Sequence, residues 1–213
     1  MAKTTTKVNA KKSTDSISNC NIEEVKIGNQ IWMTENLNVS TFLNGDAIQE
    51  VKSDQEWEKA ANNSEPAWCY YSNEENNGLK YGKLYNWFAV IDPRGLAPAG
   101  WHVPTDSDWT VLTEFLGGEK LAGRKMKFKD GWNENSSGNN KSGFSGLPGG
   151  CRMAFGLFEN ISTHIYWWSS TEMKMPLGGD TRYAWSRYLF YKFHSLERHT
   201  NTKGSGLYVR CIR

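Results

Sequence analysis

The spacing of apolar residues divides this chain into an early part that favours helices and a late part that favours strands. Val25-Lys26-Ile27-Gly28-Asn29-Gln30-Ile31-Trp32-Met33 reads as two strand pieces around a Gly-Asn turn, and Asn36–Val39 continues the extended pattern. Ser53 and Glu56 have the spacing of a capping box and predict a short helix over Gln55–Ala61, with Trp57, Ala60 and Ala61 on its inner face. Thr105 and Asp108 open a second helix, along which Trp109, Leu112, Phe115 and Leu116 recur as a core stripe. Gly117-Gly118 stops that helix, and helical signals fade beyond it. Asn133–Gly143 and Met173–Asp180 read as loops, and Phe144–Gly150 as a tight turn-rich segment. Three runs read as strands: Tyr166–Thr171, Tyr183–Tyr191 and Leu207–Ile212. Helices first and short strands later predict an α+β domain.

The first 21 residues carry Lys, Thr and Ser with few apolar positions, so residues 1–21 read as a flexible basic tail or attachment arm and residues 22–213 as one domain. The apolar stretch of a signal peptide is missing from that tail. A net charge of +2 is too balanced for a nucleic-acid binder, and with a mean hydropathy of -0.66 no apolar run suits membrane insertion. Arg182, Arg187, Lys192, Arg198 and Lys203 are spread out, as on an ordinary solvated face.

Signals for catalysis are poor. His102, His164, His194 and His199 form no HExxH pair, Phe144–Gly150 lacks the Gly-x-Ser-x-Gly spacing, and Leu147–Gly150 lacks a phosphate-loop lysine. The reading is therefore no enzyme, no cofactor and no metal. Cys20, Cys69, Cys151 and Cys211 are too widely spaced for a zinc or redox CxxC motif, which leaves buried thiols or long-range disulfides open.

An ordered set of short motifs then resembles the Fibrobacter succinogenes major paralogous domain. They are Ile27-Gly28-Asn29-Gln30-x-Trp32-Met33-x-Glu35-Asn36-Leu37, Pro66-Ala67-x-Cys69, Tyr81-Gly82-x-Leu84-Tyr85-Asn86-Trp87 and Gly100–Thr105. Ser142-Gly143-Phe144, Leu147–Gly150, Tyr166-x-Trp168-Ser169-Ser170-Thr171-Glu172 and Val209-Arg210-Cys211 complete the set. The resemblance implies a loop-rich C-type-lectin-like domain with two short helices, a mixed and mostly antiparallel sheet, and pairing of its first and last strands. It also implies a bacterial surface or secreted setting, or, without a signal peptide, a virion surface. Glu65-Pro66-Ala67 and Trp168-Ser169-Ser170 lack the oxygen ligands of the lectin calcium motifs, so no such calcium site is expected. Cys69 and Cys211 fall in family motifs and are expected to lie close together, with a disulfide formed if the protein is oxidised, while Cys151 reads as a buried thiol.

The stretch Tyr166–Arg213 also resembles the variable region of retroelement-diversified proteins, through Ala184-Trp185-x-Arg187, Lys203-Gly204 and Val209-Arg210-Cys211. That resemblance assigns Trp185, Arg187 and Leu189 to scaffold. Strand alternation puts Ser186, Tyr188 and Phe190 on the other face, free with Arg182, Tyr191, Lys192, Phe193 and His194 to meet a ligand. Tyr, Phe and His supply contact area and hydrogen bonds at small entropic cost. The expected function is recognition of a cell-surface protein or glycan. The alternative is a structural subunit of a virion or fibre, and homo-oligomers suit either reading.

Overall fold

The computed structural model describes residues 22–135, 138–174 and 182–213. The tail over residues 1–21 and most of the loop read at Met173–Asp180 lie outside the described residues. The rest is an α+β domain built on three sheets.

Strands β1 (Glu24–Ile27) and β2 (Gln30–Met33) form the expected hairpin. β3 (Gln49–Glu50) runs parallel to β4 (Ala67–Cys69), which pairs antiparallel with β5 (Leu84–Tyr85). The largest sheet has five strands, β6 (Gly149–Arg152), β7 (Phe158–Ile161), β8 (His164–Glu172), β9 (Tyr183–Phe190) and β10 (Glu197–Thr202), in the order β10-β9-β8-β6-β7. Ile31 N–H donates to Arg213 C=O at 3.1 Å and Arg213 N–H returns a bond to Ile31 C=O at 2.9 Å, so the first and last segments pair as the resemblance implies. The last segment itself is not the regular strand read at Leu207–Ile212. It makes single bridges to Tyr85, Trp167, Trp32 and His102 in turn, stitching four elements together instead of joining one ladder.

Five α-helical segments are present among the described residues, not two: α1 (Asp54–Asn62), α2 (Glu75–Tyr81), α3 (Trp87–Val90), α4 (Asp106–Phe115) and α5 (Glu119–Met126). The two predicted helices start where their caps dictate. Ser53 accepts from Glu56 N–H, and Thr105 and Asp108 form a complete capping box. α2 and α3 are one or two turns long, too short for a periodic signal. α5 is hidden by its glycines. Gly118, taken as a stop, caps α5, and Gly123 sits inside it because a Cβ there would lie 2.1 Å from Ser195 C=O. Phe115, assigned to the core stripe, is 62% exposed: its ring lies over the β1–β2 turn, 2.9 Å from where a Cβ of Gly28 would be. Trp57 and Ala60 are buried, whereas Ala61 is half-buried.

Alternation along β8 feeds two core clusters. Ile165 and Trp167 join Trp32, Trp57, Trp109 and Phe144 in the first, and Trp168 joins Phe42, Tyr85 and Trp87 in the second. The buried indoles also cross-link the chain. Trp57, Trp87 and Trp168 donate to the carbonyls of Gly204, Ser169 and Tyr85, which satisfies each N–H that burial would otherwise penalise. Two buried arginines do the same at larger scale. Arg152 donates to the carbonyls of Gly156, Val51 and Lys52 and to Asp54, and Arg210 donates to those of Met33, Thr34 and Phe144 and to Asn36.

Candidate ligand-binding face

The β8–β9 register sets His164 across from Phe190 and Tyr166 across from Tyr188. Directly opposed residues on one face touch, and these do. His164 stacks on Phe190 at 4.4 Å between centroids, Tyr166 packs on Tyr188 at 5.4 Å, and His164 and Tyr166 lie 5.5 Å apart and nearly parallel. His199 on β10 meets Tyr188 edge-on at 5.8 Å, and Phe193 meets Phe190 edge-on at 5.1 Å. The result is a row of rings across β8, β9 and β10 that is half-buried at its centre and exposed at His199 and Phe193.

Of the residues predicted from sequence, Tyr188, Phe190, Tyr191 and Phe193 come together in this row. Lys192 and His194 are exposed on the adjoining turn. Arg182 is exposed but lies six positions before Tyr188 along β9, about 20 Å away at the rise of an extended strand. Ser186 is not available to a ligand. It shares the face of Tyr188 but is fully buried, because at that end of the sheet Trp168 and Ala184 pack into the second core cluster. Its hydroxyl is spent internally, donating to His199 C=O and accepting from Asn201. Arg187 and Leu189 are buried scaffold, while Trp185 is half-buried beneath the Arg198 guanidinium, 3.3 Å from its ring. Sequence reading missed His164, Tyr166 and His199. The signal for His164 and Tyr166 was alternation with Ile165 and Trp167, visible once the strand is begun at His164.

Charged groups fix this face at two places. Lys127 is 1% exposed, and its ammonium donates to the carbonyls of Phe190, Tyr191 and Phe193. Burial lowers its pKa to about 8, so it remains mostly charged at neutral pH. The helix that precedes Lys127, α5, supports the turn along its length, since Arg124 N–H donates to His194 C=O and Leu196 N–H donates to Glu119 C=O. At the other edge Asp106 accepts from both Arg187 and Arg198. Partial burial of the Asp106 carboxyl opposes ionisation, but the two guanidinium groups outweigh it and hold the pKa below the usual carboxylate range.

Cys69, Cys151 and Cys211 are buried free thiols. The disulfide anticipated between Cys69 and Cys211 is not formed; the two thiols belong to different core clusters. Burial pushes all three thiols up to about 12, which leaves them unreactive near neutral pH. Among the described residues no three His, Cys, Asp or Glu side chains gather as a metal site would, and no helix is long and apolar enough to cross a membrane.

The family model of the Fibrobacter succinogenes major domain matches residues 25–213. The chain belongs to this family. No curated protein and no solved structure matches it. The match spans every strand of the three sheets except the first residue of β1, so the aromatic row is part of the family domain and not an appendage to it.

His164 makes this face sensitive to acid. Burial, and then the nearby Lys127 ammonium, lower the pKa of its ring below 6.5. In the unfolded chain the ring takes up its proton near pH 6.5, before the folded ring does, so the unfolded state binds more protons in that window. The stability due to neutral His164 is complete above pH 6.5 and is lost as the pH falls through the depressed folded value. Urea midpoints at about pH 5 and about pH 7.5 should therefore differ less in His164→Phe than in the parent. An unchanged difference would show that the acid sensitivity arises elsewhere.

Proposed function

We propose that this domain is a non-catalytic recognition module, displayed outside the cell on a bacterial or phage surface, which contacts a cell-surface protein or glycan through the aromatic row of β8, β9 and β10. The observation that carries the reading is the row itself. Rings locked against one another and half-open to solvent offer contact area whose ordering cost has already been met in the free protein. The clamp on the 190–196 turn supports it, because it holds Tyr191 and Phe193 in place before any partner arrives. A non-catalytic role agrees with how the nearest acid–imidazole pair is used. His102 lies 3.4 Å from Asp108, but that carboxylate is already committed to capping α4.

The test is a binding screen of the whole chain against immobilised cell-envelope polysaccharides and surface proteins, repeated with Tyr188→Ala. Affinity for any partner found should fall about tenfold or more, as for a central aromatic anchor, with little change in melting temperature. Phe155→Ala, on the β6–β7 turn, should bind as the parent does. A partner held equally well by Tyr188→Ala would overturn the reading. If the row is instead covered by neighbouring subunits in an assembled particle, the domain is an assembly subunit.

A further inference from the structure

The hydrogen bonds around His164 fix which of its ring nitrogens carries the proton. Thr163 Oγ1 lies 2.9 Å from Asn160 C=O and 2.9 Å from His164 Nδ1. A hydroxyl has one hydrogen, and a carbonyl can only accept. The Thr163 hydrogen therefore goes to Asn160 C=O, and its oxygen is left to accept. Turning that hydrogen to Nδ1 instead would set two bare oxygens against each other at 2.9 Å. Nδ1 thus donates to Thr163 Oγ1, and the neutral ring keeps its lone pair on Nε2.

His164 Nε2 bonds to no group among the described residues. The side-chain atoms that are both buried and unpartnered there are Asn73 Oδ1 and Trp132 Nε1, so Nε2 is open to solvent. The Tyr188 hydroxyl, on a ring 5.9 Å from His164, is open and unpartnered for the same reason. Both groups are neutral at pH 7. Burial and the Lys127 ammonium keep the imidazole unprotonated, and burial pushes the phenols of Tyr166 and Tyr188 up, helped by Glu159 on β7 and Glu197 on β10. His199 is the remaining titratable group of the row and meets Tyr188 from β10.

This chemistry selects among ligands. A carboxylate or phosphate would oppose the Nε2 lone pair with lone pairs of its own. A cationic donor would meet the same Lys127 field that keeps the ring neutral. What fits is a neutral donor. In a polypeptide most such donors are spent on backbone bonds, whereas the hydroxyls of a glycan lie free along its length, and each both donates and accepts. We propose, on the reading of the row as a ligand face, that His164 Nε2 takes a hydroxyl of a neutral glycan, with the Tyr188 hydroxyl meeting a second. Protonation turns Nε2 from acceptor to donor and removes that bond, so acid weakens the binding.

Nitrogen-15 NMR of the free protein above pH 6.5 reads the tautomer directly and should show a protonated Nδ1 and a bare Nε2 at His164. The reverse assignment overturns the proposal and leaves the recognition reading standing. The whole chain is then titrated against immobilised neutral cell-envelope polysaccharides. Binding should need Tyr188 and should weaken about tenfold in His164→Phe, which keeps a ring in the stack and removes the acceptor. In the parent, and not in His164→Phe, it should weaken further as the pH falls below 6.5. Unchanged melting temperatures keep the fold out of the comparison. A polysaccharide held equally well by His164→Phe, or with no dependence on pH, overturns the proposal. If every partner that needs Tyr188 is a surface protein, the glycan is wrong and recognition stands; if no partner of either kind needs Tyr188, both fall.

Discussion

Arg210→Met should lower the stability of the domain by about 3–5 kcal/mol, a large share of the 5–15 kcal/mol typical of a folded domain. The Arg210 guanidinium is 2% exposed and bonds to the carbonyls of Met33, Thr34 and Phe144 and to Asn36 Oδ1, with its plane over the Phe144 ring. Methionine fills much of the volume but donates nothing, and three buried carbonyls lose their partner at once. The segments released are those that tie the second strand to the last stretch of chain, so the loss should be cooperative across the domain. At about 2–4 °C per kcal/mol for a chain of this size, the melting temperature should drop by roughly 10 °C. Denaturant unfolding checks the figure, and a midpoint within experimental error of the parent would show that the guanidinium is dispensable.

Lys127→Met should act more locally and reach the candidate ligand-binding face directly. Its ammonium is the shared donor for the carbonyls of Phe190, Tyr191 and Phe193. Losing it leaves those acceptors to find water, at a cost of about 2–4 kcal/mol, concentrated in the 190–196 turn. Hydrogen exchange should quicken at the amides of Tyr191 and Leu196, which bond to Thr163 and Glu119, while the amides of β1 and β2 stay protected. Binding by the aromatic row should weaken with no ring removed, because the turn must then be ordered on contact. Unchanged exchange at Tyr191 and Leu196 would show that backbone packing alone holds the turn.

The hairpin of β1 and β2, the two capped helices and the long strands were legible because each has a strictly local cause: a Gly-Asn turn, a capping residue, an alternating run. The family was legible through ordered motifs that now have structural reasons. Trp32, Tyr85 and Trp168 are core, and Arg210 is a latch. What escaped the sequence depends on distant partners. Nothing local marks Lys127 in Arg124-Lys125-Met126-Lys127 as the one buried cation of its run, because its carbonyl acceptors lie more than sixty positions away. Ser186 obeyed the alternation that predicted it, and lost its exposure to Trp168 and Ala184 packing over that end of the sheet. α5 was lost because Gly117-Gly118 reads as a stop when Gly118 also caps the next helix, and Gly123 inside that helix serves a close approach to Ser195 that nothing local announces.

Lys127 grips the 190–196 turn only by main-chain oxygens, and every residue type supplies the same oxygen. The anchoring is therefore blind to which side chains the turn displays. Position 193, half-exposed, can be changed without undoing the hold on the backbone beneath it, whereas Tyr191 also packs against the first core cluster, so saturation mutagenesis should return mostly folded proteins at 193 and fewer at 191. At this turn the main chain keeps the shape, and the side chain at 193 is left out of the task.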